Sequence, residues 1–158
     1  MSQLQAGIKA GGFLIEGLCY DYQPGNISLR GGAMPVSVSI NPSARVVHSV
    51  FSGSIGEEDI HSVAVELASR PDFDPAFSHI IDFRGVTAAN ISAEFLRSFA
   101  EETPLFHREA KQIAVAPQPH IFGLARMTQI LREGLLPNIE VVRTIEEAYK
   151  LLGLEQVS

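Results

Sequence analysis

HIIDFRGVTAANISAEFLRSF, residues 79–99, is the stretch that decides the fold. His79 to Phe83 place adjacent apolar residues before and after Asp82 without strict alternation, the pattern of a central strand covered by helices on both faces. Gly85 interrupts the run, and Val86 to Asn90 supply the small and hydroxyl side chains of a polar loop. Asn90 or Ser92 then caps a helix through Phe95, Leu96 and Phe99. In an open α/β sheet, ligands and partners meet the protein at the carboxyl ends of the strands. The loop over Thr87 to Ser92 is therefore the first place to look for function.

Upstream, Val36, Val38 and Ile40 alternate with Ser37 and Ser39 as in a half-exposed strand. Asn41 to Ala44 read as a turn, and Arg45 to Ser52 as a second strand that completes an antiparallel hairpin. Ser54 and Glu57 have capping-box spacing. Ile60, Val63, Ala64 and Leu67 then recur at helical spacing, so one amphipathic helix runs to near Arg70-Pro71. Downstream, Gln112 to Ala116 form a short apolar strand. The helix from His120 to about Glu133 carries Ile121, Leu124, Ala125, Thr128 and Leu131 on its inward face, with Arg126 and Arg132 turned away. Asn138 to Arg143 make the last strand, and a capping box at Thr144 and Glu147 opens a helix that Gly153 ends.

The order ββαβαβαβα predicts a single α/β domain over residues 34–158: a mixed, mostly parallel five-stranded sheet with four helices. Residues 1–33, with glycines at 7, 11, 12, 17, 25, 31 and 32, read as a Gly-rich N-terminal extension. Met34, at the clean start of the domain, is a candidate initiator.

At 158 residues and 46% hydrophobic, the chain has the size of one domain able to bury a core without staples. A net charge of −6 and the lack of any basic run exclude the cationic footprint of a nucleic-acid or anionic-membrane binder. Its apolar stretches are far short of the roughly 20 residues of a membrane span, and a cytoplasmic protein is expected. Cys19 is the only cysteine, so neither an internal disulfide nor a cysteine-based metal cluster is available. His48, His61, His79, His107 and His120 are scattered without an i, i+4 pair, and no metal or cofactor is expected.

Asp82, near the carboxyl end of the central strand, is placed to pair with Arg84 or with Arg126 of the helix that starts at His120. The three form a candidate ion pair or anion site. Gly123, early in that helix, implies a close backbone approach. Glu57, Glu58 and Asp59 read as the acidic first turn of a helix, where the macrodipole favours negative charge, and not as catalytic acids.

The element order and the run Asp82-Phe83-Arg84-Gly85-Val86-Thr87 before a capped helix resemble the STAS family of sulphate-transporter and anti-sigma-factor-antagonist domains, over about residues 34 to 154. The likeness is strongest to stand-alone bacterial STAS-like proteins. In these a strand ends near an Asp-x-Arg and a later helix opens with Phe-Gly-x-Ala-Arg-Met, here Phe122 to Met127. The same fold group includes lipid-exchange domains of the Sec14 type.

Antagonists of the family carry Asp-Ser-Ser/Thr-Gly at this loop, where a kinase partner phosphorylates a hydroxyl to break a protein complex. The matching positions here are Asn90-Ile91-Ser92-Ala93, with an amide for the acid, Ile91 for the first hydroxyl and Ala93 for the glycine. The resemblance therefore implies a non-enzymatic regulatory protein-interaction domain without the usual phosphorylation switch. Thr87, Asn90, Ser92 and Glu94 would be its partner-binding residues, and Ser92 the remaining candidate for phosphorylation. The alternative is a small-molecule or lipid-binding domain of the same fold group, its apolar pocket lined by Phe95, Phe99, Phe122 and Met127. An uncharacterised enzyme comes third. A protein partner, a small apolar ligand and a homodimer are thus the associations to look for.

Overall fold

A computed structural model describes residues 35–154, so the expected extension over residues 1–33 and the start at Met34 lie outside the described residues. The elements are β1 (Val36–Asn41), β2 (Val46–Gly56), α1 (Glu57–Ala68), β3 (Ser78–Asn90), α2 (Ala93–Glu101), β4 (Gln112–Val115), α3 (Pro119–Leu131), β5 (Ile139–Val142) and α4 (Ile145–Leu152). This is the expected ββαβαβαβα order. The strands lie side by side as β1-β2-β3-β4-β5. β1 runs antiparallel to β2, and every later neighbour pair is parallel, so β3 is central as its composition demands.

Alternation along the strands sorts the core into two layers. Val46, Ile80, Ile113 and Val115 face α4, where they pack with Ile145 and Ala148. Val47, Phe51, Ile55 and Val86 point the other way and pack with Val63 and Leu67 of α1 and Ile121 of α3. One helix therefore covers one face of the sheet. On the opposite face α1, α2 and α3 share the cover.

β2 and β3 are both longer than their sequence patterns predict. Past the irregularities of the ladder, Ser52 stands opposite Gly85, Gly53 opposite Val86, and Ser54, Ile55 and Gly56 opposite Ala88, Ala89 and Asn90. Residues 85–90 are thus strand and not loop, and only Ile91 and Ser92 separate β3 from α2. Small residues with weak strand preference are held extended because a neighbouring strand satisfies their backbone. Gly85 has a packing reason: a Cβ there would lie 3.2 Å from the Cβ of Ser52, so glycine lets the two strands close up.

The Ser54–Glu57 capping box fails for the same reason, since Ser54 lies inside β2. The N-cap of α1 is Gly56, whose N–H donates to Asp59 Oδ2 at 2.8 Å. The box at α4 does form, with reciprocal bonds of 3.1 Å between Thr144 and Glu147, and Gly153 ends that helix at φ 69°.

Two expectations for α3 are corrected. Leu131, expected inward, is 41% exposed, while Arg132, expected outward, is only 5% exposed. Arg132 is the C-cap, with φ −100° and ψ 7°, and a side chain that has left helical geometry no longer follows the helix's phase. A Cβ on Gly123 would meet open space, so no close backbone approach explains that glycine. Among the described residues no helix is long and apolar enough to cross a membrane, and no group of three or more His, Cys, Asp or Glu could hold a metal ion.

Candidate functional site

A cavity of about 500 Å³ lies between the sheet and the α1, α2 and α3 layer. Phe51, Ile55, Ile81 and Phe83 form its floor, with Leu67 of α1, Leu96 and Phe99 of α2, and Leu124 of α3 around it. Alanines recur at lining positions on four elements: Ala64 on α1, Ala89 on β3, Ala114 on β4 and Ala125 on α3. Small side chains set against one another leave space that larger ones would fill to normal interior density. Of the four residues expected to line an apolar pocket, only Phe99 does so. Phe95 is stacked on Phe99 with ring centroids 5.8 Å apart, Phe122 lies under the Arg143 guanidinium at 4.0 Å, and Met127 is exposed.

The polar groups of the cavity are few: His79, Gln112 and Arg132 are buried, His61 and Thr128 are half-buried, and Glu102 and Thr103 are exposed. His79 on β3 and Gln112 on β4 are register partners, so their side chains stand together on the cavity face. His79 Nε2 lies 2.8 Å from the buried Ser49 Oγ, and Phe106 stacks on the imidazole at 4.7 Å. Burial, opposed by the Gln112 amide and aided by the nearby His48, pushes the His79 pKa down to about 4, so the ring is neutral near neutral pH. His79 Nδ1 and Gln112 Nε2 have no hydrogen-bond partner.

Arg132 also lines the cavity and donates to the carbonyls of Phe99 and Glu102, at the carboxyl end of α2. The Phe99 carbonyl already accepts from the Glu102 N–H at 3.1 Å, so Arg132 is a second donor there, and the negative end of the helix dipole suits a cation. The guanidinium lies 4.8 Å from the Phe99 ring centroid, and burial lowers its pKa. Among the described residues no ion pair includes Arg132. Glu102, the one carboxylate among the described residues of the lining, is held by His61 at 3.1 Å.

Asp82 shares a strand face with Ile80, on the α4 side of the sheet, away from the cavity. Arg84 donates to it from Nε at 2.9 Å, Nη2 at 2.8 Å and its backbone N–H at 3.1 Å, and His48 Nε2 lies 3.2 Å away. Burial alone would raise the Asp82 pKa; hydrogen bonds from His48 and Arg84 more than reverse this and hold it well below the usual carboxylate range. The pair with Arg84 therefore forms. The pair with Arg126 does not: Arg126 belongs to a helix on the opposite face and donates to Gln129 Oε1 in solvent.

At the β3–α2 junction Thr87, Asn90, Ser92 and Glu94 are all exposed, the first two as strand residues. Ser92 is the N-cap, its Oγ accepting from the Phe95 N–H at 2.9 Å. It also donates to Glu57 Oε2 from both Oγ and N–H, at 3.0 and 3.1 Å, which ties the start of α2 to the first turn of α1. Ser92→Ala should lower the unfolding free energy by about 1 kcal/mol and Ser92→Gly by only a few tenths. Urea titration of the two variants checks this, and equal, negligible losses would show that the cap carries no stability.

Sequence reading missed His79, Gln112 and Arg132 as a set, and also Gln118. The Gln118 amide donates to the carbonyls of Phe83, Arg84 and Val86 at 3.0, 3.3 and 2.8 Å, where β4 has stopped and β3 continues. Strand parity was the usable signal for the first pair, since His79 and Gln112 take the face opposite Ile80 and Ile113. No protein-family model and no curated protein matches this chain.

Proposed function

We propose that the domain binds a small amphiphilic molecule between its sheet and the α1–α3 layer. The observation that carries this reading is the cavity: about 500 Å³, bounded mostly by apolar side chains with a few buried polar groups. Small-molecule sites have this character and span roughly 300–1,000 Å³. The resemblance to STAS domains, whose fold group includes lipid-exchange domains, is in keeping with this assignment.

Nile red, a neutral apolar dye, should bind the full chain with a rise in fluorescence. Ala125→Phe and Ala114→Phe, which put bulk into the space, should abolish that rise while leaving the melting temperature unchanged or higher. Most added bulk in a packed core is destabilising, by about 1–3 kcal/mol, so the thermal result is diagnostic. No binding by the native chain, or unchanged binding by both variants, sinks the reading.

A second reading is a protein-partner surface at Thr87, Asn90, Ser92 and Glu94, favoured by the exposure of all four at the carboxyl end of β3. The bonds from Ser92 to Glu57 support a surface without a phosphorylation switch, since a phosphate would set about −1.5 to −2 charges beside that carboxylate. If substitutions at Thr87, Asn90 and Glu94 leave every captured protein interaction intact, this reading fails.

A further inference from the structure

Resting on the ligand-binding reading above, we propose that the cavity takes a single-chain monocarboxylate, a fatty-acid-like molecule whose carboxylate is held by Gln112, His79 and Arg132. Gln112 and His79 are 7% and 5% exposed, line the cavity, and face it from neighbouring strands. Each leaves one nitrogen without a partner. Unpaired polar atoms at such depth are rare in folded proteins, because each carries a desolvation penalty that no partner offsets. A ligand group that bonds both atoms removes two such penalties together.

The polarity of that group follows from the donors. Gln112 Nε2 is an amide nitrogen and can only donate. His79 Nδ1 donates when the Ser49 hydroxyl gives its proton to Nε2, an arrangement open to a neutral imidazole. Among the described residues Arg132 is the only Arg or Lys of the lining, and its two hydrogen-bond partners are carbonyls, not carboxylates. A buried cation in the same lining as two unused donors, with the Glu102 carboxylate acting on it only from beyond ion-pair distance, calls for an acceptor that carries negative charge. The lining's own carboxylate is engaged by His61. The rest of the lining is mostly hydrocarbon, which selects a chain over a compact polar anion.

Volume sets the chain length. At about 30 Å³ per water-sized group, 500 Å³ holds about sixteen non-hydrogen atoms, the size of tetradecanoate.

Competition against bound Nile red tests the proposal with tetradecanoate and 1-tetradecanol, which share a chain and differ in the head. At about pH 8, where the acid is ionised, tetradecanoate should displace the dye from the full chain at about one-tenth of the alcohol concentration or less. Gln112→Leu and His79→Phe should each bring the acid to the alcohol's level, costing the acid about tenfold more affinity than they cost the alcohol. Equal displacement by acid and alcohol, or a better alcohol, overturns the carboxylate assignment and leaves the cavity reading standing. Retention of the acid preference in both variants overturns the role of Gln112 and His79. If neither amphiphile nor the dye binds, the ligand-binding reading falls and takes this one with it. The native acid-to-alcohol ratio needs no variant, so the proposal stays open to refutation should a substitution prevent folding.

Discussion

Asp82→Ala is expected to lower the unfolding free energy by about 3 kcal/mol, the lower end of what breaking a buried ion pair costs. Asp82 is 3% exposed and gathers three hydrogen bonds from Arg84 and one from His48. Half of the Arg84 side chain reaches solvent and can rehydrate, so its share is discounted. The Arg84 N–H and the His48 ring, left facing a smaller apolar residue, cannot rehydrate as freely. Asp82→Asn preserves shape and one acceptor and should cost about half as much. A depressed carboxylate pKa stabilises the fold fully above its unfolded value of about 3.9, and that contribution fades as pH falls toward the native value. Urea titrations at about pH 7 and about pH 3 should therefore show a larger acid-dependent loss in the native chain than in Asp82→Asn, the difference being the share of Asp82. If Asp82→Ala unfolds at the same urea concentration as the native chain, the cluster is no more than a solvated ion pair.

A second large effect lies at higher pH and belongs to His79. Its native pKa of about 4 is below the ordinary 6.5, so in the window between those values the unfolded chain binds a proton that the folded one refuses. Stability should be unaffected above about pH 6.5 and fall by about 3 kcal/mol as pH drops to about 4. His79→Phe keeps an aromatic ring against Phe106, loses the Ser49 bond at a cost of about 1 kcal/mol, and should flatten the curve in that window. An equal slope in the variant would mean that some other group takes up the proton.

The element order was legible because each helix carries a 3.6-residue apolar period and each strand a run or an alternation, signals that tertiary contacts reinforce. The far half of β3 was not. Gly85, Thr87, Ala88 and Asn90 have the composition of a turn, and only the continuing partner strand, itself made of small residues at Ser52, Gly53 and Ser54, holds them extended. The cavity was half legible. Sequence offers an apolar pocket only as the alternative reading, on Phe95, Phe99, Phe122 and Met127, yet what makes the space is the small residues Ala64, Ala89, Ala114 and Ala125, which composition does not flag. Arg132 was hidden because extending helical phase one residue past Leu131 puts it in solvent.

The long ladder between β2 and β3 also bears on how fast the chain reaches its fold. β1 and β2 meet across a turn of only a few residues, so their hairpin is local and can form within about 1–10 μs. Val46, by contrast, pairs with Ser78, about thirty residues on, and the whole parallel ladder shares that separation. The chain must close that loop, with α1 folded across it, before the sheet has a centre on which β4 and β5 can add. Because each parallel strand waits on its own crossover, folding is paced by loop closure and not by helix formation, which is far quicker. Substitutions within β2, α1 and β3 are therefore expected to slow refolding, and those in β5 and α4 to change chiefly the unfolding rate, as stopped-flow kinetics in urea would read.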